Sequence, residues 1–462
     1  MRRLLIILFT WIVAYSVLAG NLDTTFMAYP TLVKYDKNQL YYARESESFL
    51  HFLNKLNSIK NGDTGVLSII HIGGSHIQAD IYSDQLRHRF FSFIHNKPVS
   101  RGLVFPYRLA RTNAPVNYTF VGNKSRWKGF RSSLIKDSSK WGITGITCEL
   151  TDNHDTLFFS PSSKESLNDT TYCFDKVRVF YKASSPETRL TLFSGNQHAT
   201  PASYDSLSLS QVFRFSEPVK SLYISLQQNL EKGYQVQEGG YDSISPNAEE
   251  VTGVDSLLPG MDTLTPHLTG DGLLLMGVEI INSKGQLVYH SIGVNGASFA
   301  TYKRCEYFYP QLKKLTVDLA IISIGTNDAY TNNFDTVAFR KRYEAMIETM
   351  LQLNKEVAIV LTVPNDCYYK KRRPNKNTRL QQAIIHGLGR KYKMPVWDLY
   401  GIMGGLGSSG KWHRNKLMSR DRVHFTRKGY DLIGDLFWQA FVEAITDNNS
   451  KTIQPIQKGE PK

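Results

Sequence analysis

The sequence predicts an α/β fold: a parallel sheet with helices on both faces, interrupted by an all-β insert. Three observations carry this. Apolar, β-branched runs such as Val66–Ile72, Val317–Ile324 and Val357–Val363 alternate with helical patterns. Each run ends in a cluster of Gly, Ser, Asn, Asp or Pro. From about residue 113 to 284 the helical period gives way to short alternating runs separated by turn residues, the mark of a sandwich. After residue 285 the α/β alternation resumes, and the span between the two α/β pieces is too long for an ordinary crossover.

Met1-Arg2-Arg3, the apolar stretch Leu4–Leu18 and the small pair Ala19-Gly20 read as a signal peptide over 1–20. The apolar stretch is short for a membrane span, although an uncleaved anchor is the alternative. Export is expected either way, to the periplasm, cell envelope or medium. Residues 21–112 are the first α/β part. They hold a helical leader (Phe49, Leu50, Phe52, Leu53, Leu56), a strand ending at Ile72, and a helix over 77–95. Residues 113–284 are the insert, with strands at Ile143–Leu150, Thr156–Ser160, Lys176–Tyr181, Arg189–Phe193, Ser206–Phe215, Ser221–Leu226 and Leu273–Ile281, and a long loop over Gly239–Gly272. Residues 285–447 complete the α/β domain and end in an amphipathic helix, Arg427–Ile445. Residues 448–462 read as a polar tail.

The charge is strongly basic: 55 Lys and Arg against 41 Asp and Glu, a net +14 over 462 residues. That favours anionic partners. Nucleic acid is not expected, because no basic repeat interleaved with aromatics and no nucleic-acid motif occurs. The four cysteines lack metal-ligand spacing. Export would permit disulfides, with Cys148–Cys173 the candidate pair and Cys305 and Cys367 as buried thiols. No metal or other cofactor is expected, because no phosphate cradle or ligand cluster is present. The oligomeric state is not legible.

In parallel sheets ligands bind at the carboxyl ends of strands, and the punctuated segments fall there. Gly73-Gly74-Ser75 places a serine on a strand-to-helix turn, where glycines admit a close substrate and a helix N-terminus offers free N–H groups. A serine nucleophile needs a base and an orienter for that base. Asp421-Arg422-Val423-His424 can supply both, because residues three apart meet on one side of a turn. An oxyanion needs fixed donors. Candidates are the N–H groups of Ser75 and Gly296, in Gly293-Val294-Asn295-Gly296, and the amide of Asn327, in Gly325-Thr326-Asn327-Asp328. The basic loop Tyr368–Arg373, with Lys371 and Arg372, and Trp412 are candidates to touch the substrate. Trp127 and Trp141 are either a sugar platform or core residues. His76 reads as structural.

The ordered set Ser75, Gly296, Asn327 and Asp421-x-x-His424 resembles the four blocks of the SGNH (GDSL-type) hydrolases over residues 64–112 and 285–447. One departure is Gly74, where that superfamily carries an Asp before the serine. Gly74-Ser75-His76-Ile77-Gln78-Ala79-Asp80 and Gly293–Ala297 are most similar to the bacterial peptidoglycan O-acetylesterases. The resemblance implies a flavodoxin-like three-layer fold with an inserted jelly-roll-like, carbohydrate-binding-like domain. It also implies a Ser75–His424–Asp421 triad, an oxyanion hole of Ser75, Gly296 and Asn327, and an O-acetylated glycan as substrate. Peptidoglycan comes first and other polysaccharides second. An O-acetyltransferase or a non-catalytic glycan-binding protein is the alternative.

Overall fold

The computed structural model describes residues 28–94, 98–162, 172–183, 185, 188–227 and 273–452. The expected signal peptide and the long loop over 239–272 lie outside the described residues.

The α/β sheet has seven strands: β1 (Leu40–Tyr41), β2 (Leu67–Gly73), β3 (Val99–Ser100), β4 (Leu287–Gly293), β5 (Leu319–Ser323), β6 (Ala358–Val363) and β7 (Val396–Asp398). Their spatial order is β1-β7-β6-β5-β2-β4-β3. All pairs are parallel except the edge strand β1, which the leader lays antiparallel on β7. β2 is central, and its continuous apolar run follows from burial on both faces. Leu67 and Ile69 pack into one core with Phe49 and Phe52 of the leader helix and Leu436, Phe437 and Phe441 of the last helix. Ile70 and Ile72 point the other way, into a core with Phe339, Tyr343 and Ile385. That second core continues into the insert through residues such as Val177, Val278 and Ile224.

The insert is two antiparallel sheets. One runs Gln197–His198, Arg189–Ser194, Leu222–Gln227, His154–Pro161, Tyr118–Val121. The other runs Thr200–Pro201, Ser210–Val219, Phe174–Lys182, Leu274–Ile281, Ile146–Leu150, Trp127–Arg131. Gly102–Val104, which by sequence groups with the first α/β part, pairs instead with Leu274–Ile281 of this second sheet.

Three expectations need correction. The helix over 77–95 is two helices, Ser75–Gln78 and Tyr82–Phe93. Asp80 breaks it at φ +48°, and its buried carboxylate gathers Ser83, Arg87, Arg101 and Asn117. The last helix extends to Thr452, beyond Ile445. Polar bonds from Arg44 to Asp447 and from Asn448 to Asn54 hold its end against the leader. Finally, Cys148, Cys173, Cys305 and Cys367 are all buried, and Cys148 and Cys173 are not joined by a disulfide. Burial pushes the Cys305 thiol up to about 12 and that of Cys367 to about 11.

Candidate active site

Ser75 stands where β2 hands over to a helical turn, at the carboxyl end of the central strand. Two glycines make the turn fit. A Cβ on Gly73 would lie 2.3 Å from Ile77 Cγ1 and 2.9 Å from Ser323 O. One on Gly293, the last residue of β4, would lie 2.1 Å from Gln78 N and 2.6 Å from Gly74 O. The neighbouring strands therefore approach the serine turn more closely than any side chain allows.

The structure brings Ser75, His424 and Asp421 together from opposite ends of the chain. Ser75 Oγ is 2.8 Å from His424 Nε2, and His424 Nδ1 is 2.7 Å from Asp421 Oδ2. The other carboxylate oxygen, Asp421 Oδ1, accepts from Val423 N at 2.8 Å, His424 N at 3.0 Å and Ser419 Oγ at 2.7 Å. These donors and His424 overcome the desolvation of a half-buried carboxyl and hold Asp421 well below the ordinary carboxylate range. Arg422, between them, takes φ +55°, in a tight loop where Asp421 meets His424 Nδ1 while His424 Nε2 faces Ser75.

His76 lies beside this group, its ring centroid 5.3 Å from that of His424. Its Nδ1 is 2.9 Å from Tyr430 Oη. Burial, then the neighbouring His424, push its pKa down to about 3, so it stays neutral next to the imidazole that faces the serine.

The oxyanion candidates lie on the serine turn and in loops that border it, with Ala297 O 3.6 Å and Val294 O 3.9 Å from where a Gly74 Cβ would stand. The Ser75 N–H opens a helical turn and has no intrahelical acceptor. Gly296 takes φ +81°, a conformation that suits glycine. Asn327 Nδ2 donates to Ala297 O at 2.9 Å, which leaves its second hydrogen for a ligand. The same nitrogen would be 3.4 Å from a Cβ on Gly74, an ordinary contact. Gly74 has φ −99°, so a side chain fits there without strain.

Sequence reasoning missed three supporting residues. Gln78 Oε1 accepts from Asn295 N at 2.6 Å, and its Nε2 donates to Thr112 Oγ1 and Asn113 O, tying the serine turn to the glycine loop. Ser133, from the insert, donates to Asn295 O at 2.7 Å. Asp328 accepts from Phe299 N at 3.3 Å through both oxygens, joining the loop after Gly296 to that of Asn327. Burial raises the pKa of Asp328 to about 7. Gln78 and Asp328 stood inside the motifs already singled out. Ser133 carried no local signal, because its role depends on a contact across 162 positions.

The other candidates fare differently. Trp412 is fully buried, edge-on to Phe425 at 5.8 Å, so its ring is core and presents no face to a substrate. Trp127 and Trp141 are buried too, the first donating to Asp155 Oδ2 and the second lying under the Arg304 guanidinium. Lys371 and Arg372 are exposed on a hairpin beside the Asp421–His424 loop, which Tyr368 N joins by donating to Arg422 O. Among the described residues, no cluster of His, Cys, Asp and Glu could hold a metal ion, and no helix is long and apolar enough to cross a membrane.

Residues 269–432 match a GDSL-like lipase/acylhydrolase family. No curated protein matches the chain. Among solved structures, a peptidoglycan O-acetylesterase superposes with a TM-score of 0.64 at 19% identity, covering 86% of this chain and 96% of its own. An acetyl xylan esterase (20% identity, TM-score 0.27) covers 33% of this chain and 80% of its own. A GDSL-like lipase from Bacteroides thetaiotaomicron (21%, TM-score 0.27) covers 34% and 76%.

Proposed function

We propose that this chain, part of which matches a GDSL-like lipase/acylhydrolase family, is an SGNH (GDSL-type) hydrolase and an exported serine esterase. It removes O-acetyl groups from a glycan, peptidoglycan in the first instance. The observation that carries this reading is the unbroken line from Ser75 Oγ through His424 to Asp421. Likeness to a peptidoglycan O-acetylesterase across most of both chains supports the choice of glycan.

In the reaction, His424 Nε2 takes the Ser75 proton as Oγ attacks the acetyl carbonyl. The N–H groups of Ser75 and Gly296 and the free hydrogen of Asn327 Nδ2 receive the oxyanion. Asp421 holds His424 in the tautomer that presents a bare Nε2 and stabilises the imidazolium that forms. His424 then gives its proton to the departing sugar oxygen, leaving acetyl-Ser75. Water, deprotonated by the same nitrogen, releases acetate and restores the serine.

The test is acetate release from O-acetylated peptidoglycan and from acetylated xylan, by the wild type and by Ser75→Ala. The wild type is expected to release acetate, faster from peptidoglycan, and Ser75→Ala to lose about 10⁶-fold in kcat. Equal inertness of the two proteins on every acetyl ester would reject the reading in favour of a binding protein.

A further inference from the structure

Between Asp366 and Asp421 the chain carries thirteen Lys and Arg and a single acidic residue, Asp398. Asp398 is buried, bonded to Gln382 and the Gly401 N–H. The densest part, Lys370-Lys371-Arg372-Arg373, forms the tip of a two-stranded hairpin in which Tyr368–Tyr369 pairs with Arg373–Pro374. Lys370 and Lys371 make the turn at φ +49° and +58°, closed by Arg372 N donating to Tyr369 O at 3.1 Å.

The hairpin is pinned on both sides by the loops of the site. Tyr368 N donates to Arg422 O at 3.1 Å, between Asp421 and His424. Lys370 N donates to Tyr330 Oη at 2.8 Å, three residues after Asn327. The Arg422 guanidinium lies 4.4 Å over the Tyr368 ring, and Tyr330 packs on Tyr369 at 4.9 Å. The acids that adjoin the hairpin and Arg422 in sequence are engaged elsewhere: Asp421 with His424, and Asp366, which is buried, with Ser409. The result is a fixed, exposed row of cations that repel one another at the rim of the candidate site. Such an arrangement lowers its energy by taking up an anion.

We propose that this hairpin is a subsite for carboxylate groups of the glycan, which it engages while an acetylated sugar occupies the Ser75 site. This makes the substrate an acidic polymer, and it rests on the ester-hydrolase reading of that site. Lys371 and Arg372 at the tip take the carboxylates, and Arg422 extends the row toward His424.

Binding decides the matter independently of turnover. The Ser75→Ala protein is titrated with O-acetylated peptidoglycan fragments and with the same fragments after amidation of their carboxyl groups. Amidation is expected to weaken binding about ten-fold at low salt, a difference that 0.5 M NaCl removes. Adding Lys371→Gln and Arg372→Gln should abolish the difference, whereas Lys341→Gln with Lys355→Gln, equal in charge and on another helix and its following turn, should preserve it. Equal binding of native and amidated fragments would overturn the proposal. So would a preference that survives the hairpin substitutions, or one that the control pair also erases. Failure of the wild type to release acetate from any glycan would instead reject the esterase reading, and the binding comparison would still decide the hairpin.

Discussion

Ser75 owes its position to two neighbours without side chains. Gly73 and Gly293 let β5 and β4 close on the serine turn, so the proposed nucleophile is held by backbone on both sides. Adding one methyl at Gly293 would drive it into Gln78 N and Gly74 O, both main-chain atoms that cannot rotate away. Gly293→Ala is therefore expected to cost about 1–3 kcal/mol of stability in urea unfolding, and to lower kcat more than KM changes, because the turn carrying Ser75 must move. Gly74→Ala, whose new Cβ would meet only ordinary contacts, should leave stability within about 0.5 kcal/mol. In the proposed mechanism the remaining polar groups act on the transition state. Asp421→Asn keeps the shape of the loop but removes the carboxylate that selects the His424 tautomer, and kcat on an aryl acetate should fall roughly 10⁴-fold. Asn327→Ala removes one proposed oxyanion donor and should cost about 10²–10³-fold in kcat with little change in KM. A KM effect without a kcat effect would remove Asn327 from the oxyanion hole.

The elements show what a local reading of sequence can and cannot supply. Strands buried on both faces, β2, β5 and β6, are continuous apolar runs and were legible as such. So were the strands of the insert that alternate, such as Leu222–Gln227. The break at Asp80 was not legible. Its cause is a buried network assembled from three segments: Asp80 with Arg87 on the following helix, Arg101 beyond it, and Asn117 at the start of the insert. The two guanidinium groups and the Ser83 and Asn117 bonds outweigh desolvation and hold the Asp80 carboxyl far below its ordinary range. Edge strand β1 was equally hidden, because two residues have no period and only pairing with β7 defines them. The network predicts its own test. Arg101→Met leaves the buried carboxylate short of a partner and should destabilise the protein by about 3–5 kcal/mol in chemical unfolding. A change near zero would mean that Arg87 and Asn117 alone suffice to hold Asp80.

At the scale of the whole molecule, the chain order that frames the site is also what joins the two sheet systems. The insert leaves after the serine turn and returns before β4, so Thr112 at its entry and Ser133 within it come back against Gln78 and Asn295. The four blocks were legible because each is local. Their closure by the insert was not, because it depends on distant contacts. The fold also buries ionisable groups of opposite kinds, and this sets the stability profile. His71, His76 and His290 are pushed by burial to about 3. Between pH 3 and about 6.5 the unfolded chain binds protons at these sites that the folded chain does not, so stability rises with pH across that window. Asp328 works in the opposite sense. Its folded pKa of about 7 lies above the unfolded value of about 4, so from pH 4 to 7 the folded state holds the extra proton and stability falls as pH rises. The two trends oppose one another, and Asp328→Asn should uncover the histidine slope. Asparagine matches the protonated acid in shape and can still accept from Phe299 N. Variant and wild type should be equally stable near pH 4, and the variant's advantage should grow by up to about 1.4 kcal/mol per pH unit toward pH 7, then level off. Thermal unfolding of both proteins from pH 4 to 8 measures this directly. A difference that stays constant with pH would show that Asp328 is ionised throughout, its burial offset by Arg342 and the Phe299 N–H.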